Sequence, residues 1–259
     1  MSPPVRLLAD ASAGAPVIAV RTLGAFAVLR DGTEVSPREW QSKMARQVLE
    51  ILVSHRGRPV PRQRLIELLW PEQPPGPTSN RLSVLLSIVR RVLGPRVLVT
   101  DRWAIRLDLD LVDVDVERFL SSAAAARHAV AAGDGRAARL LRAAADLYAG
   151  DFLDEDPYED WAEVLREEAR AVYVGLLRAL AAHSADVDGR VHWLLRLVHR
   201  EPYEEDAHLD LVRVLREAGR HGEAHRRYRA YAVRMAELGI EAVPPQRLQL
   251  PPWAPRLVG

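Results

Sequence analysis

The sequence predicts a mainly α fold with small β-sheets, divided between a mixed N-terminal part and an all-helical C-terminal part. Three observations carry that prediction. Short runs with the alternation and composition of strands stand near the start and again near residue 100. Between them, and from Phe119 onward, apolar residues recur at the three-and-four spacing of helices. Charge divides at the same place: residues 17–112 carry fifteen basic and nine acidic side chains, and residues 113–243 carry eighteen and twenty-five. Net charges of about +6 and about −7 let the first part favour a polyanion and argue against the second wrapping one.

The N-terminal elements follow in order. Val17–Arg21 and Ala25–Arg30 are β-rich runs, and Asp31-Gly32 is a hairpin signal. A helix is expected from Arg38 or Glu39, with Met44, Val48, Ile51 and Leu52 on one face and a stop at His55-Arg56-Gly57. Val60-Pro61 opens a second helix, with Pro61 where its missing N–H costs nothing and Leu65, Leu68 and Leu69 inward. Glu72–Pro77 reads as a Pro-rich loop. Thr78 or Ser79 caps a third helix over Asn80–Leu93, whose stripe Leu82, Leu86, Val89 and Leu93 faces the core. Val97–Thr100 and Trp103–Leu109 form a hairpin around Asp101-Arg102. Sheet, three helices and hairpin make a winged helix-turn-helix domain with an extra N-terminal sheet.

The stretches Arg64–Trp70 (RLIELLW), Asn80–Val84 (NRLSV), Ser87 and Arg90–Gly94 (RRVLG) carry a resemblance. Residues 41–107 resemble the OmpR-type DNA-binding domain of the Streptomyces antibiotic regulatory protein family. The resemblance implies that the third helix enters the major groove of promoter DNA and that the hairpin touches the neighbouring minor groove. The residues agree in part. Ser83, Ser87, Arg90 and Arg91 lie opposite the core stripe, and arginine and serine bond base edges or phosphates. Asn80 and Arg81 stand at the helix N-terminus, where N–H groups favour a phosphate. Arg102 and Trp103 occupy the wing. Leu85 and Ile88 depart from the pattern, because relatives more often carry polar or basic residues there. They meet thymine methyl groups or pack against protein. Trp103 departs as well, standing where a Gly-Tyr pair is usual.

Val112–Val116 leads into the C-terminal part, and the aspartates alternating with Leu and Val here (Asp108, Asp110, Asp113, Asp115) read as the wet face and exit of a strand rather than a cation site. Five helical faces follow, on Ala137–Tyr148, Leu165–Leu180, Val191–Val198, Leu209–Leu215 and Ala224–Leu238, with glycines at the turns. Helix pairs with small contact residues predict a tetratricopeptide-like stack. Leu147–Leu153 (LYAGDFL), Asp156–Trp161 (DPYEDW), Glu201–His208 (EPYEEDAH) and Glu237–Glu241 (ELGIE) resemble the bacterial transcriptional activator domain over residues 113–243. That resemblance implies a helical domain that dimerises, contacts DNA or RNA polymerase, or passes a signal. In the acidic segment Asp151–Trp161, Phe152, Tyr158 and Trp161 read as packing anchors.

Other chemistry is poorly supported. Cysteine is absent, which excludes disulfides, thiolate zinc sites and a cysteine nucleophile. No phosphate-cradling glycine loop or nucleophile elbow occurs. The pairs His221/His225 and His192/His199 lack the partners of a metal site. No apolar run reaches the length of a membrane span. The expectation is therefore a cytoplasmic DNA-binding regulator without cofactor, metal or catalytic residues. Residues 1–16 form a flexible tail, 17–112 the winged helix, 113–243 the activator domain and 244–259 a Pro-rich tail. Promoter DNA is its partner, RNA polymerase and a homodimer are implied by resemblance, and a protein-interaction regulator that has lost specific DNA binding is the alternative.

Overall fold

The computed structural model describes residues 18–72 and 75–248. The tail expected at 1–16 lies outside the described residues, as does that expected at 244–259 from residue 249 on; residues 245–248 form a turn. The fold class is the expected one: mostly helical, with two small sheets. The chain forms two compact units. The first comprises residues up to Arg118 together with Ala149–Ala169, and the second comprises Phe119–Tyr148 with residues from Arg170 onward.

In the first unit β1 (Ile18–Arg21) pairs antiparallel with β2 (Ala27–Arg30), and β3 (Thr33–Glu34) extends the hairpin. Asp31 and Gly32 both have positive φ, 51° and 77°, which lets a tight turn follow the strand twist. Helix α1 (Pro37–Trp40) is capped by a Ser36/Glu39 capping box. The single helix expected from residue 38 is broken here. Gln41 is left-handed at φ 54°, and α2 (Lys43–Ser54) starts anew from Ser42. The break accompanies burial of Trp40 against Phe26, with ring centroids 6.4 Å apart; this tertiary contact outweighs helix propensity.

Val60-Pro61 opens no helix. It forms β4 (Val60–Pro61), the outer strand of the sheet β4-β6-β5, where the missing proline N–H removes no ladder bond. Helix α3 (Arg62–Leu69) then buries Leu65, Ile66 and Leu69, with Leu68 only half-buried. Helix α4 (Pro75–Leu93) begins within the expected Pro-rich loop and takes in Thr78 as a buried helical residue rather than a cap. Its stripe Leu82, Leu86, Val89 and Leu93 is buried as expected, and α4 packs on α1, α2 and α3. Strands β5 (Leu98–Thr100) and β6 (Ala104–Leu107) make the wing.

Strand β7 (Val112–Val114) returns to pair parallel with β1, Ile18 opposite Val112. Asp115 then starts α5 (Asp115–Ala131). It is not on a wet face: its buried carboxylate accepts from Thr22 N (2.8 Å), Thr22 Oγ1 (2.6 Å), Leu23 N (3.0 Å) and Val116 N (2.7 Å). Burying a carboxylate requires such partners. The segment Ala149–Ala169 completes this unit. Gly24 N donates to Asp151 O (2.8 Å) and Leu153 N to Thr22 O (2.8 Å). A Cβ on Gly150 would come 2.9 Å from Gly24 Cα, so the crossing of these two backbone segments needs glycine there. Arg46 pairs with Glu155 (2.8 Å), Gln47 donates to Glu159 (3.0 Å), and Arg56 binds both Glu117 (3.0 Å) and Glu168 (2.9 Å).

The second unit is helical: the rest of α5, α6 (Ala137–Ala145), the C-terminal part of α7 (Asp160–His183), α8 (Val187–Arg200), α9 (Glu205–Glu217) and α10 (His221–Glu237). Helices α8, α9 and α10 pack in sequence, as a repeat stack requires. Phe119, Tyr148 and Tyr173 fill its core, the two tyrosines stacked at 4.2 Å and 7°. Arg200 and Arg196 donate to their hydroxyls at 3.0 and 2.6 Å. Most expected inward residues are buried, but Leu238 is exposed and Trp193 and Leu197 replace Leu195 and Val198 in the core.

Candidate nucleic-acid interface

Helix α4 has a buried side and an outward side. Asn80, Arg81, Ser83, Ser87 and Arg91 are exposed, and Arg90 is half-buried. The two serine hydroxyls donate back along the helix, Ser83 to Ser79 O (3.1 Å) and Ser87 to Ser83 O (2.9 Å), which leaves their lone pairs facing outward. The two adjacent arginines differ. Arg90 is drawn sideways to the wing, where it donates to Thr100 Oγ1 at 3.1 Å. Arg91 makes no ion pair among the described residues and points its charge to solvent.

The apolar residues on this helix sort differently from their sequence appearance. Leu85 is 7% exposed, so it packs into the protein core. Ile88 is half-buried. The outward apolar residue is Val84, at 60% exposure. Its signal was present in the spacing: Asn80, Val84, Ser87 and Arg91 step four, three and four, the mirror of the core stripe two residues on.

The wing is ordered by Asp101. Its carboxylate accepts from Trp103 N (2.6 Å) and Ala104 N (2.7 Å), and those two N–H groups, chiefly that of Ala104, hold its pKa below the ordinary value. Arg62 N donates to Trp103 O at 2.8 Å, tying the tip to the start of α3. Arg102 and Trp103 are exposed at the tip, with the guanidinium 4.9 Å from the indole centroid, a cation–π pair. The structure thus gives each sequence-selected residue a place on α4 or the wing, and all but Arg90 are exposed.

Two supporting residues were not among those selected from the sequence. Arg30, on β2, donates to Val92 O at the end of α4 (2.7 Å) and pairs with Glu39 (3.3 Å). Asp101 shapes the tip without facing outward as a ligand. Arg30 has no local signature, because it acts through a contact that folding creates; Asp101 bonds N–H groups two and three residues on, a turn signal legible in Asp101-Arg102. In the acidic segment, Phe152 is fully buried and Trp161 is half-buried with its indole N–H on Glu159. Tyr158 is no packing anchor: it is 94% exposed. Arg166 explains this display, since its buried guanidinium binds the carbonyls of Phe152, Asp156 and Pro157 and lifts the loop into a fixed arch. The cavity between α2 and this segment, lined by Lys43, Arg46, Gln47, Glu50, Asp156 and Glu159, holds about 20 Å³, room for a water molecule and no more.

Comparison with known proteins agrees with this geometry. Residues 114–248 match the family model of the bacterial transcriptional activator domain, and residues 40–103 match that described as transcriptional regulatory protein, C terminal. The chain is 30% identical to the transcriptional regulatory protein EmbR of Mycobacterium tuberculosis over 240 residues, covering 87% of this chain and 60% of EmbR. It is 29% identical over 253 residues to the regulatory protein DnrI of Streptomyces peucetius, covering 89% of each. The solved structure of M. tuberculosis EmbR in complex with a low affinity phosphopeptide superposes with a TM-score of 0.71 at 27% identity, over 92% of this chain and 67% of that one. The chain therefore belongs to the family of bacterial transcriptional regulators that join an OmpR-type winged helix to a bacterial transcriptional activator domain.

Proposed function

We propose that this chain activates transcription by binding promoter DNA through α4 and the β5–β6 wing. The observation that carries the reading is the outward face of α4. Asn80, Arg81 and Arg91 present donors and charge, and Ser83 and Ser87 present acceptor lone pairs, on one side of a helix whose other side is core. Arg91 and Ser87 face base edges, and Arg102 with Trp103 follows the next groove; because α4 begins at Pro75, Asn80 and Arg81 stand more than a turn inside it, not at its N-terminus as expected, and meet a phosphate through their side chains alone. Arg90 supports the wing and reaches DNA only after leaving Thr100. The +6 balance of residues 17–112 supplies the non-specific attraction.

The domains divide near residue 112, with activator repeats over 113–243. Those repeats, acidic as a whole, serve protein contacts, with RNA polymerase and a second copy of the chain as the partners. The protein works in the cytoplasm and without catalysis. No described helix is long and apolar enough to cross a membrane. The test is fluorescence polarisation on duplexes from upstream of its own operon, at several salt concentrations. Selective binding that weakens steeply with salt is expected, and binding that is equal on all sequences sinks the proposal.

A further inference from the structure

Trp103 is 72% exposed, yet its backbone is held from both sides. Its N–H is bonded to Asp101 Oδ1 and its carbonyl accepts from Arg62 N. Asp101 N closes the turn onto Ala104 O at 3.1 Å. The side chain is therefore presented from a fixed tip, and Arg102 stacks on the indole at 4.9 Å. The tip is a rigid plate with an apolar surface and a cation, a combination suited to a groove with apolar sugar walls and a negative potential. A wing that only follows phosphates needs the arginine and has no use for an exposed indole.

We propose that Trp103 is a minor-groove wedge that bends the duplex where the wing meets it. The inference rests on the reading of α4 as the major-groove helix and adds a second source of selectivity. Apolar side chains pressed against a base step partly unstack it and kink DNA by roughly 20–90° toward the major groove. Pyrimidine–purine steps such as TA and CA unstack most easily. The wing then selects a deformable step at a position where no base edge is hydrogen-bonded. Arg102 contributes charge beside the indole.

The experiment uses the full chain and duplexes it selects from a random library, end-labelled for energy transfer. The native chain is expected to shorten the end-to-end distance and to prefer a TA step under the wing over a GC step. Trp103→Ala removes roughly half or more of the bend and most of that preference, while interference footprints under α4 stay the same. Trp103→Phe keeps both. Arg102→Ala weakens affinity and lowers the salt slope by about 1, yet still bends DNA. Unchanged melting of Trp103→Ala shows that the wing remains folded. A straight duplex with the native chain, or an undiminished bend with Trp103→Ala, overturns the wedge while leaving DNA binding intact. Absence of any selected sequence overturns the wedge and the DNA-binding reading together.

Discussion

Arg30 and Val92 are joined by a hydrogen bond of 2.7 Å, from a guanidinium on β2 to the carbonyl in the last turn of α4. The N-terminal sheet thereby caps the candidate recognition helix at its negative end, where a cation is favourable. Arg30→Ala is expected to lower stability by about 1 kcal/mol and Tm by a few degrees. It also weakens DNA binding although Arg30 lies off α4. Calorimetry and polarisation on the same variant check both; unchanged affinity would show that the cap does not position the helix.

Arg90 and Arg91 are neighbours with different surroundings, one bonded to Thr100 and one open to solvent. Arg91→Ala is expected to cost about 1–3 kcal/mol in specific binding and to relax the preference at one base pair. Arg90→Ala is expected to cost less and to act evenly across sequences, because it frees the wing. Competition binding with point-substituted sites separates the two. Equal losses in the two variants would refute the distinction.

Asp101 orders the wing through two backbone N–H bonds. Asp101→Ala is expected to loosen the tip and weaken DNA binding severalfold. Asp101→Asn keeps an oxygen acceptor and restores most of the affinity. The pair of dissociation constants, with circular dichroism showing an intact fold, gives the check.

Burial pushes the Glu50 carboxyl above its ordinary value, against the opposing charge of Arg46. The folded state therefore holds this proton to higher pH than the unfolded chain. Its contribution to stability is present below the ordinary carboxylate pKa and is lost as pH rises through the raised folded value. Glu50→Gln is expected to remove that slope and to raise Tm at neutral pH, with Arg46 still bound to Glu155. Melting curves across the mildly acidic range decide it; a lower neutral Tm for the variant contradicts the assignment.

Tyr231 is fully buried, donates to Glu205 and accepts from Val243 N at 2.9 Å, while Tyr228 donates to Val243 O at 2.9 Å. Burial, then the Glu205 bond, pushes the Tyr231 hydroxyl up to about 12. Tyr231→Phe leaves two partners without their bond and is expected to cost about 1–3 kcal/mol. In the native chain, stability falls as pH rises from the ordinary tyrosine pKa of about 10 toward that value, because the unfolded state ionises first. Denaturant titrations at pH 8 and at alkaline pH test both, with a shallower alkaline decline expected in the variant.

Periodicity made much of this molecule legible. The stripe Leu82, Leu86, Val89 and Leu93, the hairpin at Asp31-Gly32 and the faces of the C-terminal helices all follow from residue spacing, because burial on one side of a helix or strand is a local pattern. The outward residues of α4 followed for the same reason. The errors arose where folding overrides local preference. Trp40 meets Phe26 and breaks a helix at Gln41; Pro61 joins a sheet edge instead of a helix; Asp115, one of four similar aspartates, is the one drawn inside.

Spacing and composition were sufficient to establish a winged helix followed by helical repeats, a basic part followed by an acidic one, and the side of α4 that faces out. Folding alone decided that Leu85 is core, that Arg90 is held by the wing, and that Ala149–Ala169 packs with the N-terminal unit. The physical reason is separation along the chain. Thr22 and Asp115 are 93 residues apart, Arg46 and Glu155 are 109, and Gln47 and Glu159 are 112. Helical and strand periods report only on neighbours within a few residues, whereas these contacts arise when chain closure brings complementary charges and buried donors together.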